Sequence, residues 1–450
     1  MGRRSTVNAL GKIFSSDYGM LAALLGLCIY FSLATYAEQH PEGVEAAERL
    51  YEQIEDVFPD GGSVVVLGRP TEESKSFCNA LNASLKASDW KVLAVVNGDP
   101  FEAGRAIRKA FEDNNTLSLV ACESSFVELP LFEVLREDLP AFGKTRLLAP
   151  ESYNWPNFLK ADNLLNIANQ IAVIAILAIG MTMVIVTAGI DLSVGSLIAF
   201  SAVLATWLIR EYAGGVDASA LGMFLCCLLA ILACGLFGFF TGGVVTFFQV
   251  PPFVATLGMM LVGSGLAYML SNGLSIYQLP EDFSWLGRGV DLFGIPNAVV
   301  LMLFLYLVAH IVMERTSFGR YVYAVGGNPE AARLSGVPVR RVLICVYCAC
   351  GALAGLGGVV MASQFLSGDP KYGLMYELYV IAAVVVGGTS LSGGQGKIFG
   401  TLIGAFIIAV IRNGMNLTGV ESYTQKVVLG LVLLAAVLLD MLKKRGFKLT

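Results

Sequence analysis

Thr187 to Ser196 reads TAGIDLSVGS, which sets the carboxylate of Asp191 and the hydroxyls of Ser193 and Ser196 in an otherwise apolar stretch. An acidic side chain in apolar surroundings is costly, so it normally faces a cavity or a partner group. Gly189 and Gly195 permit a break in a helix there, and Ser193 and Ser196 can satisfy the backbone groups the break releases. Two readings fit these residues. One is a structured break beside a solute pathway, and the other is Asp191 as the cap of the following helix, a role aspartate favours. A second polar island, GGNPEAARLSG at 326–336, lies between two long apolar segments and is flanked by arginines. Asn328 suits the cap of a short helix and Pro329 its first turn, while Gly336 suits a left-handed end with Pro338 beyond. Metal and triad chemistry have little to work with. The two histidines, His40 and His310, are far apart, and the nine cysteines show no metal spacing. Cys345-x-x-Cys348 lies among apolar residues, where cysteine behaves as a small hydrophobe. These residues predict no catalytic site, no metal and no cofactor.

The composition says where these islands sit. Of 450 residues, 56% are apolar and 14% charged, against roughly a quarter charged in a soluble domain. Several runs reach the ~18 apolar residues of a spanning helix, and the 49 glycines suit close helix contact in lipid. A polytopic helical membrane protein is expected. The pattern predicts helices at about 20–37, 164–189, 192–210, 219–241, 252–272, 295–313, 341–365, 377–391, 398–413 and 423–442, ten in all. An even number puts both termini on one side. On that path the inner loops hold Arg3, Arg4, Lys12, Arg315, Arg320, Arg333, Arg340, Arg341, Lys397, Lys443, Lys444, Arg445 and Lys448. The outer ones hold Arg210, Arg288, Lys371, Arg412 and Lys426. The asymmetry predicts cytoplasmic termini and a cytoplasmic 326–336 loop. The charged flank also argues for a retained first helix rather than a cleaved signal.

Between the first two helices the chain changes character. GSVVVLG (62–68), WKVLAVV (90–96), LSLVACE (117–123) and TRLLAPE (145–151) alternate with helical patterns near 43–57, 72–87, 101–113 and 126–138. Buried strands separated by amphipathic helices predict a parallel, Rossmann-like α/β sheet, here on the extracytoplasmic side. The region from Tyr36 to Asn163 carries a net charge of −10, which argues against nucleic acid as a partner. Cys78 and Cys122 are the candidates for a disulfide if this part meets an oxidising compartment.

Several of these motifs carry a resemblance. TAGIDLSVGS resembles the GGIDLSVGS motif of ribose-, xylose- and galactose-type permeases, with Ala188 in place of the first glycine. Val250-Pro-Pro-Phe-Val-Ala-Thr-Leu-Gly258 resembles the VPPFIVTLG segment of the same family. Glu330-Ala331-Ala332 followed by Gly336 resembles the EAA-x-x-x-G loop that docks into an ATPase subunit in ABC importers. Leu391-Ser-Gly-Gly-Gln395 spells an ABC ATPase peptide, but no G-x-x-x-x-G-K-[ST] occurs in the chain. It resembles instead the family's GGTSLxGG loop, beginning at Gly387. The inserted region resembles one lobe of a periplasmic sugar-binding protein, with a preceding helix, the VVVLG strand, and the DPFEAGRAIRKAFEDN helix after a second strand.

The resemblance implies a domain plan. Residues 1–37 form the cytoplasmic N-terminus and first helix, 38–160 the extracytoplasmic α/β domain, and 161–450 a permease domain with its coupling helix at 326–338. It also implies a bacterial inner-membrane importer of a monosaccharide or similar polyol. Its partners would be ABC ATPase subunits, an extracytoplasmic binding protein, and a second permease, identical or related. Asn328, Glu330, Ala331, Ala332, Arg333 and Gly336 would couple to the ATPase. Asp191, Ser193, Gly195, Phe253 and Thr256 would line the pathway, where an aromatic ring suits a sugar face. The alternative is an ion-coupled secondary transporter, for which Asp191 and Glu377 are the candidate carboxylates.

Overall fold

The computed structural model describes residues 19–88, 90–114, 116–127 and 129–444. Arg3, Arg4, Lys12, Arg445 and Lys448 lie outside the described residues. The described residues form two compact units, one spanning Tyr36–Pro156 and the other made of the described residues before and after it.

In the Tyr36–Pro156 unit, β1 (Tyr36–Gln39) pairs antiparallel with β6 (Tyr153–Pro156), joining the two ends of the unit in a ribbon. Four parallel strands form its sheet: β2 (Ser63–Gly68), β3 (Lys91–Asn97), β4 (Leu119–Cys122) and β5 (Arg146–Leu148), in the order β3-β2-β4-β5. Both faces are apolar because successive side chains alternate. Val64, Val66, Leu119 and Ala121 pack on one side with Leu50, Ile54, Phe77 and Leu81 of the helices Gly43–Val57 and Glu72–Ala87. Val65, Leu67, Val120 and Cys122 pack on the other with Ala103, Ile107 and Phe132 of the helices Pro100–Asn114 and Leu131–Asp138. The helical pattern expected over 126–138 is interrupted at Pro130, which has no N–H to donate.

The same alternation decides the cysteines. Cys78 belongs to the first cluster and Cys122 to the second, so the sheet separates them. Both are free, and burial pushes each thiol up to about 12, with the charge of Glu123 adding to the effect. They do not form the disulfide the spacing allowed.

The other unit is helical. Among the described residues, seven helices are long and apolar enough to cross a membrane: Ala161–Val186, Val194–Tyr212, Ala220–Phe247, Pro252–Ser271, Asn297–Arg315, Val339–Phe365 and Ile398–Leu417. Three further apolar helices are shorter, at Gly19–Ala34, Tyr376–Val386 and Ser422–Leu438. The segment expected over 377–391 stops at Val386 because Gly388 takes φ +81° and the Thr389 N–H bonds back to the Val384 carbonyl at 3.1 Å. That is a left-handed helix end.

Ala161–Val186 is the axis of this unit and is almost entirely buried from Ile171 onward. It packs against Val339–Phe365, Ile398–Leu417, Asn297–Arg315 and Tyr376–Val386. Ala220–Phe247 and Val339–Phe365 approach most closely where Gly238 and Gly242 face Tyr347 and Ile344, and where Gly351 and Gly355 face Cys234 and Ile231. Small residues at these positions let helices meet in lipid by backbone packing. By contrast, Pro252–Ser271 buries only Thr256, Gly263, Ala267 and Ser271.

Candidate functional site

The break begins where Ala161–Val186 ends. The Ala188 N–H donates to the Ile185 carbonyl at 2.9 Å and the Gly189 N–H to the Val184 carbonyl at 3.0 Å. This bond pair is the Schellman ending, which requires a left-handed residue. Here that residue is Ala188, at φ +61°. An L side chain in this region costs about 1–3 kcal/mol. Gly189 follows with no room for a side chain, since an added Cβ would overlap the Tyr347 hydroxyl.

Asp191 is 1% exposed. Its Oδ1 accepts from the Ser193 backbone N–H at 2.9 Å and from the Ser193 hydroxyl at 2.6 Å. The carboxylate therefore closes a turn just before the helix Val194–Tyr212 and satisfies an N–H that the break leaves free. Cys350 and Tyr347 lie near this carboxylate, and the buried Tyr347 hydroxyl has no partner. Thr256, fully buried, donates from Oγ1 to the Ile190 carbonyl at 3.2 Å, which ties Pro252–Ser271 to the break.

Beyond the break, Val194–Tyr212 lines an open cavity of about 190 Å³. Gly195, Ser196, Ser264, Tyr268, Tyr372 and Glu377 contribute to its wall. Serine hydroxyls, a carboxylate and two tyrosine rings provide both hydrogen bonds and flat apolar faces. The wall closes on glycine. A Cβ on Gly195 would stand 2.6 Å from the Gly373 carbonyl oxygen and would overlap the Glu377 carboxylate.

At the polar island, Pro329–Leu334 is a short helix capped by Asn328, whose Oδ1 accepts from the Ala331 N–H at 3.0 Å. Gly336, at φ +84°, ends it. Glu330 and Arg333 form an exposed ion pair of 2.8 Å. Leu334 is 85% exposed, an apolar side chain presented outward from a polar helix.

Residues 163–437 match the profile of a family described as a branched-chain amino acid transport system permease component. The chain belongs to this permease family. The ribose import permease RbsC of Escherichia coli K12 is 44% identical over 299 residues, covering 65% of this chain and 90% of that protein. RbsC of Bacillus subtilis strain 168 is 43% identical over 63% of this chain and 86% of its own length. The D-allose permease AlsC of E. coli K12 is 36% identical over 63% and 85%. No solved structure matches the chain.

Within the permease, the residues expected to act together fall into three places. Only Gly195 of the expected pathway set lines the cavity. Asp191, Ser193 and Thr256 instead build the break, and Phe253 is 55% exposed on Pro252–Ser271. Of the expected coupling set, Asn328, Glu330, Ala331, Arg333 and Gly336 are exposed, whereas Ala332 is buried and anchors the short helix to the core. Sequence reasoning missed Ser264, Tyr268 and Tyr372, which carry no motif of their own. It also missed Leu334, although an apolar residue next to Arg333 in a polar helix was a usable signal.

The permease geometry separates the two readings of Asp191 by experiment. Asp191→Asn keeps the Oδ1 acceptor, so its melting temperature and uptake should stay close to wild type. Asp191→Ala strands the buried Ser193 N–H and should lose about 1–3 kcal/mol of stability in the helical unit. Thermal unfolding in detergent measures both, and an equally damaged Asn variant would make the charge, rather than the cap, the essential feature.

Proposed function

We propose that the chain is the membrane-spanning permease subunit of an ATP-binding-cassette importer that moves a monosaccharide, with ATP hydrolysed by separate subunits. The observation that carries this reading is the 44% identity over 90% of a ribose import permease. The cavity supports it. Hydroxyls, the opposite charges of Glu377 and Lys371, and tyrosine rings suit a neutral polyhydroxylated solute, which needs many modest hydrogen bonds and a flat face.

In this reading the three shorter apolar helices join the seven longer ones as ten membrane segments. Both termini and Pro329–Leu334 face the cytoplasm. The Tyr36–Pro156 unit lies on the far side, where it recruits the sugar-binding protein. A second permease copy completes the pathway, and the exposed apolar face of Pro252–Ser271 is available to it or to lipid. ATP-driven closure pushes on the short helix and shifts a two-state equilibrium of the cavity walls.

The test is purification in mild detergent from native membranes, followed by reconstitution. A stoichiometric ATPase should co-purify, and ribose uptake should require ATP and survive an ionophore. Uptake abolished by the ionophore and indifferent to ATP would replace this reading with ion-coupled transport through Glu377 or Asp191.

A further inference from the structure

Three segments meet backbone to backbone between the short exposed helix and the break. The Gly394 N–H donates to the carbonyl of Val186, the last residue of the axial helix, at 2.8 Å. A Cβ added to Gly326 would overlap that same carbonyl and stand 2.7 Å from the Gly394 nitrogen. A Cβ added to Gly393 would stand 2.8 Å from the Gly326 oxygen and 2.9 Å from the Ala188 Cβ. The Tyr323 hydroxyl then fastens the assembly by donating to the Gly396 carbonyl at 2.8 Å.

The position of this knot in the chain gives it a consequence. Gly326 is buried and lies two residues before the Asn328 cap of the exposed helix. Ala188 lies three residues before Asp191, whose turn launches the cavity-lining helix Val194–Tyr212. Contacts through long side chains can yield by rotamer change, but contacts between packed backbones cannot, so a displacement on one side is passed on rather than absorbed.

We propose that this glycine junction is the joint through which the exposed helix moves the cavity wall, with Tyr323, Gly326 and Gly394 as its positioning residues. It also gives the Leu391-Ser-Gly-Gly-Gln395 loop a use. The paired glycines are there to reach the Val186 carbonyl and the Gly326 backbone, not to hold a phosphate. The inference rests on the importer reading and adds to it the route by which force reaches the site.

The test uses the purified complex in proteoliposomes, with radiolabelled D-ribose as the probe and ribose delivered per ATP hydrolysed as the readout. Tyr323→Phe removes one hydroxyl and nothing else. It should retain the co-purified ATPase and the hydrolysis rate, while ribose per ATP falls about threefold to tenfold, as expected for one lost hydrogen bond. Gly326→Ala, which forces two backbones apart, should fall further. If Gly326→Ala fails to fold, Tyr323→Phe decides alone. An unchanged ribose-to-ATP ratio in Tyr323→Phe, with the ATPase bound and active, overturns the junction and leaves the importer intact. A wild-type chain that assembles with no ATPase overturns both.

Discussion

Glu330→Arg is expected to leave the protein inserted and folded while reducing uptake at least about tenfold, the scale at which a reversed charge disrupts a complementary interface. Glu330 is exposed, and its ion pair is the local contact with Arg333. Exposed pairs of this kind contribute about 0–1 kcal/mol, so thermal stability should hardly move. The reversal would instead set a second guanidinium beside that of Arg333 on a helix of six residues, changing the sign of the surface offered to a partner. Co-purified ATPase should fall in parallel with uptake. Full uptake by a Glu330→Arg protein would mean that the exposed helix does not dock the ATPase.

Gly195→Val should be the more damaging substitution. Gly195 is buried, and its backbone lies against the Gly373 carbonyl and the Glu377 carboxylate in the cavity wall. A branched side chain there has no rotamer that avoids both neighbours, and overpacking of this kind costs about 1–3 kcal/mol. Uptake should drop more than about tenfold, while hydrolysis by the attached ATPase continues, because the docking helix is untouched. Gly195→Ala should show the same effect to a smaller degree. A Gly195→Val protein that transports normally would show that solute does not pass this wall. Together the two variants fail in different ways, one losing the ATPase and the other keeping it.

What the sequence made legible was mainly what is local. The Asn328 cap and the Gly336 end of the short helix could be read from adjacent residues, because caps act within one turn. The strands of the Tyr36–Pro156 unit were legible because a sheet covered on both faces is made from continuous apolar runs. The β1–β6 ribbon was not, since each strand has four residues and pairs with one more than a hundred positions away. The cavity was half legible. Gly195 announced itself through its motif, but Tyr268, Tyr372 and Glu377 reach the same wall from other segments. The facing of Phe253 was not legible, because in a segment apolar on nearly every side the periodicity that would reveal which side chains turn inward is weak.

The ribbon that joins the ends of the Tyr36–Pro156 unit has a consequence for the entropy of the whole chain. Tyr36 pairs with Pro156, and just outside them the Asn157 N–H donates to the Thr35 carbonyl at 2.9 Å. A disordered segment of that length between two apolar helices would impose a loop-closure penalty that grows with every residue added. With its ends already paired, this unit presents to the helical unit the entropy of a short turn. Lengthening, shortening or exchanging the α/β unit then leaves the folding of the permease nearly indifferent, so the two parts of this chain are free to change at different rates.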